Sequence, residues 1–416
     1  MTDIGVRVNE HFGDNLLQLS FPKGWSIEVR KMYGHDASPL ADTQIRDAFA
    51  HPIGTPSIQE LAKGVEGKIV VTCDDLSRPT PATRVFPFIM QELNAAGIAD
   101  DQIFILSAVG LHHPMNHDAF LRKVGREMVA KYDCINHNPF RNFKNLGRTS
   151  RGTPLLVNEE FATADLRITV SGIKKHRWAA SGGGGKAIVP GVASEETILW
   201  NHSITQTRRP EDRAIWKLQD NPERRDMQEA ARMAQLDVSV NCNYNGKREL
   251  IGLHVGDVDT AWIEAVRLGY KMHATPIPHE KSDIVIVNAY PQADQGIDWW
   301  GAQESLREGG TAVALYHFPL GRAYLHYRQE RMDGQWRRLQ GYPEKWWPVT
   351  QAHNIIVYTD TLSRKHMLEY HDRVEWVTRW DRLIDKLTQV HGDEATVTMY
   401  PCGPLQFNPT RYPLRI

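Results

Sequence analysis

The stretch "GKIVVTCDDLSRPTPATRVFPFIMQELNAAGI", Gly67 to Ile98, carries three patterns in succession. "KIVVTC" is a short β-branched run, the composition of a buried strand. "DDLSRPTP" is a polar junction. "TPATRVFPFIMQELNAAGI" (80–98) has helical apolar spacing, with Gly97 near its C-terminal end. Similar apolar runs recur at "DQIFILSAVG" (101–110), "ADLRITVSG" (164–172), "SDIVIVNAY" (282–290) and "GGTAVALYHF" (309–318). Strands alternating with helices predict an α/β fold with mainly parallel sheets. Ligands in such sheets gather at the carboxyl ends of strands, so chemistry is expected in the residues that follow each run.

At 416 residues the chain is long enough for two or three domains and needs neither metal nor disulfide to stabilise a core. "HATPIPHEKSD" (273–283) has two prolines and no periodicity, and marks a boundary. The expectation is two α/β domains, 1–275 binding a cofactor and 276–416 closing over substrate, with the active-site cleft between them. The charged segment 206–237 reads as helical. Lysine plus arginine (49) balance aspartate plus glutamate (50), so no global field points to nucleic acid or an acidic membrane, and the expected partner is a small molecule. The four cysteines form no CxxC pair, which disfavours a zinc ribbon or disulfide framework and fits a reducing cytoplasm. The polar N-terminus and the lack of an 18-residue apolar run predict neither secretion nor membrane insertion.

Three junctions hold the candidate chemistry. Asp74, Asp75, Arg78 and Thr80 follow the first strand; they suit an anion at a helix start, or simply a capped turn with a local ion pair. His112, His113 and His117 follow the second run, and any one of them alone reads equally as a surface histidine. No H-E-x-x-H spacing is present, which weakens zinc hydrolysis. The third is "KKHRWAASGGGGKAIVPGV", Lys174 to Val192. It is neither a P-loop, because Ala187 follows Lys186 where a hydroxyl is needed, nor a GxGxxG fingerprint. Its glycines, Gly183, Gly184 and Gly185 among them, allow positive φ and let amides approach a flat or anionic ligand; the alternative is a flexible loop, against which the apolar "KAIVPGV" argues.

Together, "DDLSRPTP", "GLHHPM", "GGGGKAIVPGV" with His176 ten residues before Lys186, and His202 sixteen residues after it resemble the lactate racemase family, most clearly over residues 1–205. That resemblance implies a nickel-pincer nucleotide, a pyridinium mononucleotide joined covalently through Lys186. It implies His202 as the protein ligand to Ni(II), Asp74, Asp75, Thr80 and the glycines around the nucleotide, His112 and His176 as paired acid/base groups, and Arg78 as partner of a substrate carboxylate. The implied reaction inverts C2 of a 2-hydroxy acid by hydride transfer, and the implied partners include the enzymes that mature the cofactor. His112 fills the histidine slot of the family's glycine-x-histidine-x-proline pattern; His113 is the alternative.

Family members acting on lactate carry a glutamine and a lysine after a "YP" motif. Here "NAYPQADQGIDWWGAQESLREGG" (288–310) has no lysine, which points to a longer or more polar acid than lactate. Gln292, Asp294 and Gln295 offer hydrogen bonds to it. Trp299 offers a flat apolar surface, or is core. Two other functions remain open: epimerisation of a sugar acid with the same cofactor, and a non-catalytic nickel or cofactor carrier.

Overall fold

In a computed structural model of the chain, residues 1–204, 215–293, 296–321, 345–364 and 370–416 are described. The five apolar runs all become strands whose residues are almost entirely buried, and they fall in two six-stranded sheets. By internal contacts the chain divides into two units, 37–271 with 412–416, and 1–36 with 272–411. The expected single cut at 275/276 therefore differs from the observed division. Its cause is a long-range pairing: Ser26–Val29 lies parallel to Thr396–Tyr400, in register from Ser26 opposite Thr396 to Val29 opposite Met399. Short-range periodicity carries no signal for such a pairing.

In the 37–271 unit the sheet order is Leu250–Gly256, Val238–Tyr244, Leu166–Gly172, Ile69–Cys73, Ile103–Ser107, Asp133–Asn136. Only the Leu250–Gly256 edge is antiparallel. Cys73 pairs with Val170 on one side and Ser107 on the other, so the three central strands end at one level. The polar residues that follow each of them emerge along one edge. Beneath that edge, Val70, Leu106, Ile188, Val189, Val192 and Met227 share a buried cluster. Each such side chain contributes about 1.5–3 kcal/mol on burial. The apolar run after Lys186 is thus the anchor of the glycine loop, which settles that this loop is ordered.

In the other unit all strand pairs of the sheet are parallel, in the order Glu375–Val377, Asn354–Tyr358, Leu306–Leu315, Ser282–Asn288, Thr396–Tyr400, Ser26–Val29. Of the charged segment 206–237, Pro222–Met233 is helical, with Asn221 capping it by accepting from the Arg224 amide at 3.1 Å; residues 205–214 lie outside the described residues. Among the described residues no helix is long and apolar enough to cross a membrane.

Candidate active site

A cavity at the carboxyl edge of the first sheet is lined by Asp74, Asp75, Arg78, His112, His176 and Lys186, together with backbone of the glycine loop. Three separate junctions of the sequence therefore meet in one place. Each side chain is held by partners that can be traced to its own turn.

Asp75 is buried. Its Oδ1 accepts from the Ser77 amide at 2.7 Å, closing the turn, while its Oδ2 lies 2.7 Å from His112 Nδ1. Burial alone would raise the Asp75 carboxyl, but His112, Arg78 and Ser77 together hold it well below the usual carboxylate range. Burial lowers His112, only partly opposed by Asp75. The pair therefore rests as carboxylate and neutral imidazole. Because a carboxylate only accepts, Nδ1 carries the proton and Nε2 keeps its lone pair.

His176 is arranged the opposite way. It sits in a two-residue hairpin, opposite Ala180, and its Nδ1 accepts from the amides of Ala179 (3.0 Å) and Trp178 (3.3 Å). Burial, then the charges of Lys186, Arg78, Lys174 and His202, push it well below its ordinary value. As a neutral ring with Nδ1 accepting, its proton is on Nε2. One cavity thus presents a histidine with a free lone pair on Nε2 and another with a hydrogen-bond donor there.

Arg78 is steadied by donating to Ser77 Oγ at 2.7 Å. Asp74 is turned inward: its Oδ2 accepts from Thr80 Oγ1 (2.5 Å) and the Gly172 amide (3.4 Å), and its Oδ1 pairs with Lys123. Lys123, whose side chain is 0% exposed, also donates to the Arg78 carbonyl at 2.9 Å. Asp74 and Thr80 accordingly brace the junction; Thr80 does not line the cavity.

Lys186 is pushed down to about 7 by burial and by Arg78 and Arg224, against the pull of Glu223 and Asp75. A substantial share of the amine is neutral, hence nucleophilic, at neutral pH. The glycines before it differ from expectation. Amides were expected to face a ligand, yet Gly182 donates to the Lys174 carbonyl (2.9 Å), Gly184 to Asn241 Oδ1 (3.1 Å) and Gly185 to Gln228 Oε1 (2.7 Å). Glycine is required because φ is +77° at Gly183 and +56° at Gly184, and because a Cβ on Gly185 would run into the Met227 carbonyl. Gly184 and Gly185 do not line the cavity.

His202 lies on the helix Glu195–Ser203, which Ser194 caps by accepting from the Thr197 amide at 3.1 Å. Its neighbour Asn201 donates to the buried Asp226 at 2.7 Å, and Asp226 also accepts from Thr149 and Thr153. His202 is not in the lining of the cavity, but the Trp178 ring is 6.4 Å from the rings of both His176 and His202. Burial, then Lys186, push His202 down to about 3, so it is a neutral imidazole, the form that binds metal.

None of the remaining expected residues that are described lines the cavity. His113 is exposed and does not line the cavity. Gln292 belongs to the other unit and is buried. Trp299, also in that unit, is 2% exposed and donates to Tyr370 Oη at 3.2 Å, so it is core and offers no surface to a ligand. Asp294 and Gln295 lie outside the described residues. Sequence reading missed Trp178, which lies within the third stretch, and Lys123, Arg224, Gln228, Asn241 and Trp262, which sit outside any local motif. The only available signals were a tryptophan beside His176 and polar residues inside otherwise buried elements.

Among the described residues no group of three or more His, Cys, Asp or Glu could hold a metal by itself. A metal at His202 would need most of its donors from a ligand. A ligand that brings its own donors and bonds to an amine fits a neutral His202 and a partly neutral Lys186.

Residues 12–213 match the lactate racemase N-terminal domain. The chain is 27% identical over 388 residues to the lactate racemase of Lactiplantibacillus plantarum, covering 86% of this chain and 89% of that protein. It is 29% identical over 279 residues to the lactate racemase of Thermoanaerobacterium thermosaccharolyticum, covering 65% of this chain and 64% of that protein. Among solved structures, the lactate racemase apoprotein of T. thermosaccharolyticum aligns with a TM-score of 0.69 at 21% identity, over 98% of this chain and 99% of that one. A Thermotoga maritima protein aligns with a TM-score of 0.63 at 17% identity, over 88% and 98%. At these identities the two structures speak to the fold alone.

Proposed function

Since this chain belongs to the lactate racemase family, whose named members are isomerases, we propose that it inverts C2 of a 2-hydroxy acid, with a nickel-pincer nucleotide carried on Lys186. The observation that carries the reading is the pair of histidines in one cavity with Arg78 and Lys186, His112 with Nδ1 on the Asp75 carboxylate and His176 with Nδ1 accepting from two backbone amides. Inversion needs a proton taken from the hydroxyl on one face and one returned on the other.

Arg78 receives the substrate carboxylate, since a guanidinium matches it with two parallel hydrogen bonds. His112 Nε2 accepts the hydroxyl proton, and the imidazolium that forms is stabilised by Asp75 2.7 Å from Nδ1. The O–H electron pair becomes the C=O π bond, so the C2 hydrogen leaves with its own pair. A nucleotide tethered by Lys186, with His202 as a protein ligand to its nickel, would supply a reversible acceptor for that hydride. The 2-keto acid so formed is planar, and once it had turned its opposite face to the bound group, C2 would be reduced there in the inverted configuration. His176 Nε2–H then gives its proton to the oxygen while the proton held by the His112 imidazolium passes to the His176 ring, so both imidazoles end neutral and the hydroxy acid is inverted. In the reverse direction the same steps run backwards. The substrate is longer or more polar than lactate, a reading that rests on the lysine-free stretch from Tyr290 to Gly310.

Protein produced with cofactor-maturing enzymes should carry a mass adduct on the peptide containing Lys186 and should racemise members of a 2-hydroxy acid panel. An adduct and nickel without turnover on any acid would favour the carrier. Turnover with no adduct on Lys186 would refute the tether.

A further inference from the structure

The glycine loop is gripped from behind by four side chains that take no part in the cavity. Trp262 Nε1 donates to the Gly182 carbonyl at 2.8 Å. Arg224 donates to the Gly183 carbonyl at 2.7 Å and the Ser181 carbonyl at 3.3 Å, with its guanidinium 3.6 Å from the centre of the Trp262 ring. Asn241 and Gln228 accept from the Gly184 and Gly185 amides, and Gln228 is itself fixed by donating to the Val258 carbonyl at 3.0 Å and Asp259 at 2.6 Å. Arg224 is 2% exposed, and a buried guanidinium is tolerated only when its donors and its charge are answered. Here two loop carbonyls accept from its terminal nitrogens, the Trp262 ring covers its face and the charges of Asp259 and Glu223 oppose its own, while its buried Nε has no hydrogen-bond partner among the described residues.

From this geometry we infer that Arg224, Trp262, Gln228 and Asn241 are positioning residues that lock the glycine loop and so aim the Lys186 amine into the cavity. The functional meaning of that aim rests on Lys186 being the attachment point; the clamp itself does not. A run of four glycines has the largest backbone entropy a segment can have, and left alone it would scatter the residue at its end over many conformations. The clamp instead fixes consecutive positive-φ residues, Gly183 and Gly184, and feeds the chain into the turn Gly184–Ala187, where the Ile188 amide donates to the Gly185 carbonyl at 3.0 Å. Lys186 lies within that turn. The same arrangement sets the environment of the amine, whose protonation is disfavoured by burial first and then by Arg78 and Arg224, and favoured by Glu223 and Asp75.

The test uses the full chain without cofactor. Trp262→Phe keeps the ring under Arg224 but loses the bond to Gly182, Trp262→Leu loses both, and Gln228→Met removes the acceptor for Gly185. Two quantities are read by peptide mass spectrometry: hydrogen exchange of residues 182–188, and trace acetylation by acetic anhydride of Lys186 relative to the exposed Lys144 as pH is varied. Wild-type protein should acetylate at Lys186 with a midpoint near 7. Trp262→Leu and Gln228→Met should speed loop exchange by about tenfold or more. They should also move the midpoint upward, cutting relative acetylation at pH 7.5 by about tenfold or more, within a ceiling of roughly a thousandfold set by an ordinary lysine. Trp262→Phe should fall between them and wild type, and exchange of the sheet strands 69–73 and 103–107 should stay unchanged in all three, which general destabilisation would not allow. Unchanged exchange, or an unchanged acetylation midpoint, in variants with native circular dichroism overturns the inference. Should Trp262→Leu not fold, Trp262→Phe and Gln228→Met carry the same test. Failure of the wild-type protein to form an adduct on Lys186 would remove the functional reading while leaving the clamp result intact.

Discussion

Replacing Asp75 by Asn tests how His112 is set up as a base. The isosteric amide can keep its oxygen on the Ser77 amide, now 2.7 Å from Oδ1. That leaves its NH2 facing His112 Nδ1, where Oδ2 stands at 2.7 Å. Two donors cannot share a hydrogen bond, so His112 switches its proton to Nε2 and offers Nδ1 instead. Both histidines then present Nε2–H to the substrate, and the base is lost. The lost charge-assisted bond to the imidazolium is worth about 1.5–3 kcal/mol, or about 10- to 150-fold in rate. A wrong tautomer costs about 10⁴ where a buried Asp orients a catalytic His. The expected loss in kcat/KM is therefore about 10²- to 10⁴-fold. Because the equilibrium between enantiomers is fixed at 1, the loss must be the same from either enantiomer. The assay is polarimetric or chiral-column racemisation in both directions, with cofactor content measured on the same samples. Asp75 also raises His112 against its burial, so any residual activity of the variant should still be present at more acidic pH than in the wild type. A loss under about threefold with cofactor fully loaded would refute the proposed role of the pair.

Further outcomes follow from other contacts. His202→Ala should lose nickel, read by plasma mass spectrometry on protein matured with its cofactor, and keep its thermal transition, since a core of this size does not depend on a metal. Gly185→Ala should destabilise the protein by about 1–3 kcal/mol in urea, because its Cβ meets the Met227 carbonyl in a packed interior. Stability should fall as pH drops from 6.5 towards 4. His137 is 2% exposed and pushed down to about 4 by burial, so it is neutral in the folded state while the unfolded chain takes up a proton below about 6.5. The unfolded state binds more protons in that window, so stability rises with pH, by at most roughly 3 kcal/mol from this group. Urea titrations at pH 7 and 5 should show the fall, and His137→Asn should flatten it.

The parts of this architecture legible in the sequence were those written in short-range pattern. The runs ending at Cys73, Ser107 and Gly172 read as buried strands and are buried strands, and the polar residues after them meet at one edge because the parallel register aligns the strand ends. What was not legible depends on residues far apart in the chain. Ser26–Val29 pairs with Thr396–Tyr400, which nothing in either segment announces. Lys123, on a helix that looks amphipathic and exposed, is buried against Asp74 and so takes over the carboxylate that the junction alone offered to a ligand. The glycine run was legible as a site that needs bare backbone. What fills the space beside it, Gln228, Arg224 and Trp262, comes from helices that begin about 40 and 80 residues later and belongs to the protein itself.

The fate of the C2 hydrogen bears most directly on the proposed reaction. A 2-hydroxy acid carrying deuterium at C2 should be inverted by the loaded enzyme in ordinary water with the deuterium kept in the product, because a hydride held by the cofactor need not exchange with solvent. Replacement of that deuterium by solvent hydrogen at the rate of inversion would contradict the account, since it would mean that C2 is deprotonated and reprotonated through an enolate.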